Sequence, residues 1–194
     1  MHTATYMIYK LQDTTNLIPG FAFRGAIIPN SNGNISVLQA KNISENINFC
    51  NLVKTSFSGP FGKYFLLKGD VVITLRGMGL GSFRAAVIRG NVNNVIVASS
   101  VLIIRTVNNK YSPEFVAAYL NSGEGQKAIL DSVTGSYIKS ISRKSFGETE
   151  LPNLDTESQS LIVDLIKNTQ EQTKICERRI QLLKNINNSI FENL

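Results

Sequence analysis

Histidine is nearly absent from this 194-residue chain: the one copy is His2. A Ser-His or Cys-His nucleophile pair, or an imidazole metal site, has almost nothing to draw on. Tryptophan is missing, and the two cysteines, Cys50 and Cys176, stand far apart without companion ligands. Two reduced thiols are therefore expected, with no metal site. Acids are also thin: none occurs between Asp70 and Glu114, and no cluster suits Mg2+ or paired-carboxylate chemistry. The Asn/Asp-Pro-Pro-Tyr/Phe motif of amino-methyltransferases does not occur. No apolar run approaches the ~20 residues that span a bilayer. No basic stretch followed by an apolar one marks a secretory signal at the N-terminus. These absences predict a cytoplasmic chain with no membrane partner, no catalytic residue, no metal and no cofactor of its own.

What is present is a globular composition with a lopsided charge. Hydrophobic residues make up 43% and charged residues 18%, and the length suits one packed domain plus an appendage. Met1 to Leu154 carries 15 lysines and arginines against 8 acids, a net of +7; Asp155 to Leu194 nets −1. A basic globular part beside a balanced tail is the electrostatic footprint of a polyanion binder.

Up to Lys110 the chain reads as strands and polar loops. Ile35 to Gln39 alternates apolar and polar residues, and Tyr64 to Leu67 precedes a Lys68-Gly69-Asp70 turn. Val71 to Leu75, Val95 to Ala98 and Val101 to Ile104 are β-branched runs, of the kind that Gly, Asn and Asp bound in strand-rich chains. Ser112-Pro113-Glu114 is a helix start: a capping hydroxyl, a proline at the first position and an acid at the positive helix end. A second short helix is expected from Glu124 to Ser132, and Gly135-Ser136-Tyr137-Ile138 turns back toward a strand.

Thr156 to Asn193 contains neither Gly nor Pro. Ile162, Leu165, Thr169, Gln172, Cys176, Arg179, Leu183, Ile186 and Ile190 recur there at spacings of three and four. That is a coiled-coil seam, apolar at both ends and polar in the middle. Such a helix would be about 55 Å long at roughly 1.5 Å per residue, too long for a domain of this size to cover. The predicted fold is α+β: a strand-rich domain over residues 1–154 with small packed helices, then one long C-terminal coiled-coil helix over 155–194. Ile162, Leu165, Cys176, Leu183, Ile186 and Ile190 are the expected dimerisation contacts.

Two glycine motifs invite a nucleotide-loop reading and fit it poorly. Gly77-Met78-Gly79-Leu80-Gly81 lacks the G-x-G-x-x-G spacing, and Ser82 to Ile88 after it reads as a strand, so a glycine hairpin fits better. Gly59-Pro60-Phe61-Gly62-Lys63-Tyr64 has no Ser or Thr after its lysine. There remain cations beside loops: Arg76, Arg84 and Arg89 around the glycine hairpin, and Lys139, Arg143 and Lys144 after Gly135. Arginine reads guanine through paired hydrogen bonds and lysine mostly fixes phosphates, so these six are the candidate DNA-binding residues.

Several stretches in order resemble one known family. They are Gly20 to Arg24 with Ile35 to Ile43, Tyr64 to Ile73 with Arg76-Gly77, and Val97 to Arg105. Tyr111 to Phe115 with Tyr119-Leu120-Asn121-Ser122, Gly135-Ser136, and Leu151 to Leu154 with Gln159 to Val163 complete the set. Together they resemble the target-recognition domain and following helix of type I restriction-modification specificity subunits. The resemblance implies binding to double-stranded DNA and a partner adenine methyltransferase that carries S-adenosylmethionine. It also implies, in some assemblies, a translocating nuclease subunit. Family subunits usually hold two recognition domains and two such helices, whereas this chain has one of each, which implies a homodimer on a bipartite site; the family's second junction proline is Asn153 here. The rival readings are a recognition cassette of another DNA-modification or phage-defence system, a pure oligomerisation scaffold, and a small-molecule-binding enzyme built on Gly77 to Gly81.

Overall fold

The computed structural model describes residues 8–134 and 139–192. His2 and the turn at Gly135-Ser136-Tyr137-Ile138 lie outside the described residues. The chain opens with β1 (Ile8–Lys10), a single helical turn α1 (Leu11–Thr14) and β2 (Thr15–Pro19). Then come β3 (Ile35–Leu38), β4 (Val53–Thr55), β5 (Val71–Thr74), the two-residue β6 (Arg76–Gly77), β7 (Ala85–Val87), β8 (Val95–Val97) and β9 (Val101–Thr106). Helices α2 (Pro113–Asn121) and α3 (Gly123–Asp131) lead to β10 (Val133–Thr134), β11 (Lys139–Ile141), the short α4 (Arg143–Gly147) and β12 (Glu150–Pro152). The long α5 (Thr156–Glu192) follows. This is the α+β arrangement expected from the strand-rich start and the helical end.

The central sheet runs β2-β9-β5-β7, antiparallel throughout, and a second sheet runs β4-β3-β8 with β3 parallel to β8. Successive strand side chains point to opposite faces. Val71, Ile73, Leu102 and Ile104 accordingly pack with Phe115, Val116 and Ile129 of the helices. Val72, Val101 and Ile103 pack on the other side with Leu38 and Val97. A sheet covered on both faces needs continuous apolar strands, which is why β5 and β9 read as unbroken runs.

Two strand expectations need correction. Tyr64 to Leu67 is not a strand: Gly62–Tyr64 forms a short 3-10 turn and Phe65 makes one isolated bridge to Ile96. The pairing with β8 stops at that bridge and the Leu66 N–H to Val95 carbonyl bond at 2.9 Å, because turns take the donors on either side: Tyr64 N–H goes to the Phe61 carbonyl at 2.6 Å and Leu67 N–H to the Asp70 carboxylate at 2.8 Å. Gly69, at φ +89°, supplies the left-handed conformation that places Asp70 there. The strand read from Ser82 to Ile88 shrinks to Ala85–Val87, since Ser82 folds back on Gly79. The second helix begins and ends one residue before its expected bounds.

Asp70 also holds the far side of the sheet. Its buried carboxylate accepts from Arg105 Nε at 2.7 Å and Nη2 at 2.8 Å, and Arg105 Nη2 donates on to the Phe65 carbonyl at 3.2 Å. The carboxylate raises the Arg105 guanidinium above its ordinary value, chiefly through that hydrogen bond. Asp70→Ala strands the guanidinium and an amide donor, and is expected to cost about 3 kcal/mol of stability. A urea denaturation midpoint equal to that of the native chain would contradict this.

The long helix is anchored at one end. Gln159 is buried and its side chain closes three bonds: Oε1 accepts from Ser112 N–H at 2.9 Å, and Nε2 donates to the carbonyls of Lys110 at 2.9 Å and Leu154 at 3.0 Å. Val163 packs into the same core as α2. Further along, Lys174 Nζ meets Glu45 Oε2 at 2.8 Å, and from Ile175 to Asn188 every side chain is exposed.

Candidate nucleic-acid interface

The most distinctive surface feature starts where β5 ends. After Leu75 the chain leaves the central sheet, and β6 pairs instead with β11, matching Arg76 to Ser140 and Gly77 to Lys139. Directly paired residues share a face of an antiparallel ribbon. The one-residue offset therefore puts Arg76 and Lys139 on opposite faces. The glycine loop then returns to β7, whose Ala85 pairs with Ile73. It is thus the loop of a wide β5–β7 hairpin, as the glycine-hairpin reading expects, enlarged by β6. It leads into a strand, so no helix N-terminus stands behind it to receive a phosphate.

That loop is held from below. Gln126 of α3 is buried; its Oε1 accepts from Gly81 N–H at 2.9 Å, and its Nε2 donates to Phe83 O at 2.6 Å and Leu120 O at 2.7 Å. Ser82 Oγ accepts from Gly79 N–H at 3.1 Å. A Cβ at Gly77 would fall inside the Ser82 side chain, so the turn needs glycine there. The result is a fixed backbone that leaves Met78 72% and Leu80 64% exposed. Sequence reasoning misses Gln126, because a glutamine in a short helix carries no local mark of being a buried strut.

In the sequence Asn121 is only the middle of Leu-Asn-Ser, and the structure explains that triplet. Leu120 is buried, and Asn121 donates to Ala85 O and accepts from Ala85 N–H, both at 2.9 Å, closing the open edge of β7. Ser122 Oγ donates to Tyr119 O at 2.7 Å and accepts from Gly125 N–H at 3.1 Å, joining α2 to α3. The helix pair that carries Gln126 is thereby locked to the sheet that carries the loop.

The six candidate cations fall into three places. Arg76 and Lys139 straddle the β6–β11 ribbon; Arg76 is exposed and Lys139 half-buried. Arg84 and Arg89 line a cleft of about 510 Å³ whose far wall is Lys167, Glu171 and Lys174 of α5, with Glu114 between. Cations and acids are mixed there. Arg143 and Lys144 sit exposed on the first turn of α4, close to Glu148, whose carboxylate binds Lys10 Nζ at 2.5 Å and Gln12 Nε2 at 2.7 Å. The Lys10 hydrogen bond, more than any other influence, holds the Glu148 carboxyl below its usual value, so this corner keeps a negative charge among its positive ones. Among the described residues none of the six cations is in an ion pair.

On α5, Ile162, Leu165, Cys176, Leu183, Ile186 and Ile190 are all exposed; Ile162 flanks the buried Gln159 and Val163, and the other five lie on the side turned away from them. Leu161, Ile175 and Leu182 are exposed beside them and broaden the face. Their spacing by multiples of seven is legible in the sequence, one residue out of the predicted register. Among the described residues no helix is long and apolar enough to cross a membrane.

Comparison with solved structures finds the same fold. At 16% identity and TM-score 0.64, 92% of this chain matches 40% of the HsdS subunit from Thermoanaerobacter tengcongensis. The S subunit of a type I restriction-modification system from M. genitalium matches at 16% identity and TM-score 0.55, over 90% of this chain and 41% of that one. A chain from a structure describing complex assembly and conformational transition of the type I R-M system matches at 16% identity and TM-score 0.63, over 92% and 41%. The chain thus spans about two fifths of the length of these proteins. No curated protein matches. The model of the type I restriction modification DNA specificity domain matches residues 4–185, nearly the whole sequence. The chain therefore belongs to the type I restriction-modification DNA specificity family, as a DNA-recognition domain without catalysis of its own.

Proposed function

We propose that this chain directs a partner adenine methyltransferase to a bipartite DNA site, working in the cytoplasm as a homodimer joined through α5. S-adenosylmethionine belongs to that partner, and a translocating nuclease that joins the same complex would be recruited through the same site. In this reading residues 1–154 are the recognition domain and residues 155–194, which include α5, the assembly segment.

The observation that carries this reading is the outer face of α5. Leu161, Leu165, Leu183, Ile186 and Ile190 are exposed on one side of a helix whose opposite side is fastened to the recognition domain by Gln159 and Val163. A row of this kind is buried by a partner helix. Pairing two copies antiparallel would bring Ile162 and Leu165 of one to Leu183, Ile186 and Ile190 of the other. The recognition domains then stand at opposite ends, related by a closed two-fold axis. Both present the same reading surface in opposite senses, so the site is an interrupted palindrome.

Methylome sequencing of the source cell with and without this gene tests the proposal. The expected difference is N6-methyladenine in one interrupted palindrome, lost on deletion. A non-palindromic methylated site that depends on the gene would refute the homodimer, and an unchanged methylome would refute the partnership.

A further inference from the structure

We propose that the Gly77–Ser82 loop is a reading finger, with Met78 and Leu80 making apolar contact with thymine methyl groups in the major groove. The proposal rests on the DNA-recognition reading and adds to it the chemistry of one contact. Two large apolar side chains at the tip of a loop, 72% and 64% exposed, are not serving the core. Nor is the loop a loose end, since Gln126 and Ser82 hold its backbone from inside. Glycines at 77, 79 and 81 keep it thin, and Gly81 at φ +78° turns it back.

The surroundings specify the occupant. The finger extends from β6, the edge strand of the β10-β11-β6 sheet, where β6 and β11 carry Arg76 on one face and Lys139 on the other. The two arms of the finger, and not the sheet behind them, are what enters the major groove, whose two walls are phosphate backbones. A cation on each face then meets a phosphate on each wall, while the tip points at the groove floor. The floor is polar except for the C5-methyl of thymine, the natural counterpart of Met and Leu. A protein partner would also accept apolar side chains, but the flanking cations without acids between Asp70 and Glu114 favour a polyanion.

The test uses the full-length chain and the duplex it enriches from a randomised library. The Met78→Ala, Leu80→Ala double variant is expected to bind that duplex about tenfold more weakly. Its log–log salt slope should stay at the native value, because no phosphate contact is lost. Replacing thymine by deoxyuridine, one position at a time, should weaken the native chain at one or two positions and leave the double variant indifferent there. Melting of the variant should match the native chain, since both side chains are exposed. Salt-sensitive DNA binding that is equal for native chain and variant would overturn the finger and leave DNA recognition standing. Absence of any salt-sensitive binding would overturn DNA recognition and the finger with it. Weaker binding by the variant without uridine sensitivity, accompanied by 2-aminopurine fluorescence from an opened base step, would identify an intercalating wedge and overturn the methyl contact.

Discussion

With glutamate at Leu183, Ile186 and Ile190, the chain is expected to sediment as a folded monomer at concentrations where the native chain is a dimer. All three side chains are exposed in the single chain, so folding loses nothing when they change. In an antiparallel pair each position counts twice. Burying one leucine or isoleucine is worth about 1.5–3 kcal/mol, so the apolar contribution removed is on the order of 10 kcal/mol. That exceeds a whole micromolar association, which amounts to about 8 kcal/mol. Thr169, Gln172 and Arg179 lie toward the middle of the seam, where polar residues hold register at some cost in stability. Sedimentation equilibrium, alone and with the methyltransferase, decides the matter. A triple variant that still dimerises, or a native chain that stays monomeric in the complex, would sink the assembly.

Neutralising Arg76, Arg84, Lys139, Arg143 and Lys144 together should produce the largest loss of DNA affinity available from surface changes. Each phosphate contact removed lowers the log–log salt slope by about 0.9. Because the structure divides the cations, smaller sets separate their roles. Arg76→Gln with Lys139→Gln should lower the slope by about two contacts. Arg84→Gln with Arg89→Gln should change it less, because Lys167, Glu171 and Lys174 face those arginines across the cleft. Arg143→Gln with Lys144→Gln should fall between, with Glu148 already offsetting part of their charge. Titration of the library-selected duplex over a range of salt concentrations reads all three slopes. A folded five-site variant that binds that duplex as the native chain does would show that the interface lies elsewhere.

Elements whose cause is local are legible in the residues themselves. Ser112 caps α2 at 3.1 Å from Phe115 N–H, as its Ser-Pro-Glu start announces. The absence of Gly and Pro after Thr156 is enough for α5, and its heptad spacing places most of the exposed face. Local patterning is unreliable where a competing turn captures the backbone, as Asp70 does at Leu67. Tyr64 to Leu67 has strand composition, but turns at both ends hold its pairing with β8 to a single bridge, and propensity does not register them.

The sequence by itself determined that this is a basic, strand-rich domain with a long helix whose outer seam is apolar, and it carried the family's motifs in order. Those properties depend on composition, caps and periodicity, which act over a few residues or simply add along the chain. Only the tertiary structure decided which cations meet. Arg76 joins Lys139 because β6 pairs with β11 across the chain, while Arg84, close to Arg76 in sequence, turns to the α5 cleft. The same holds for Gln126, Asn121 and Gln159, ordinary polar helix residues by composition, whose bonds, and for the two glutamines whose burial, arise from contacts with the loop, the β7 edge and the start of α2. Such roles are set by pairings between distant segments, and no short window of residues contains them.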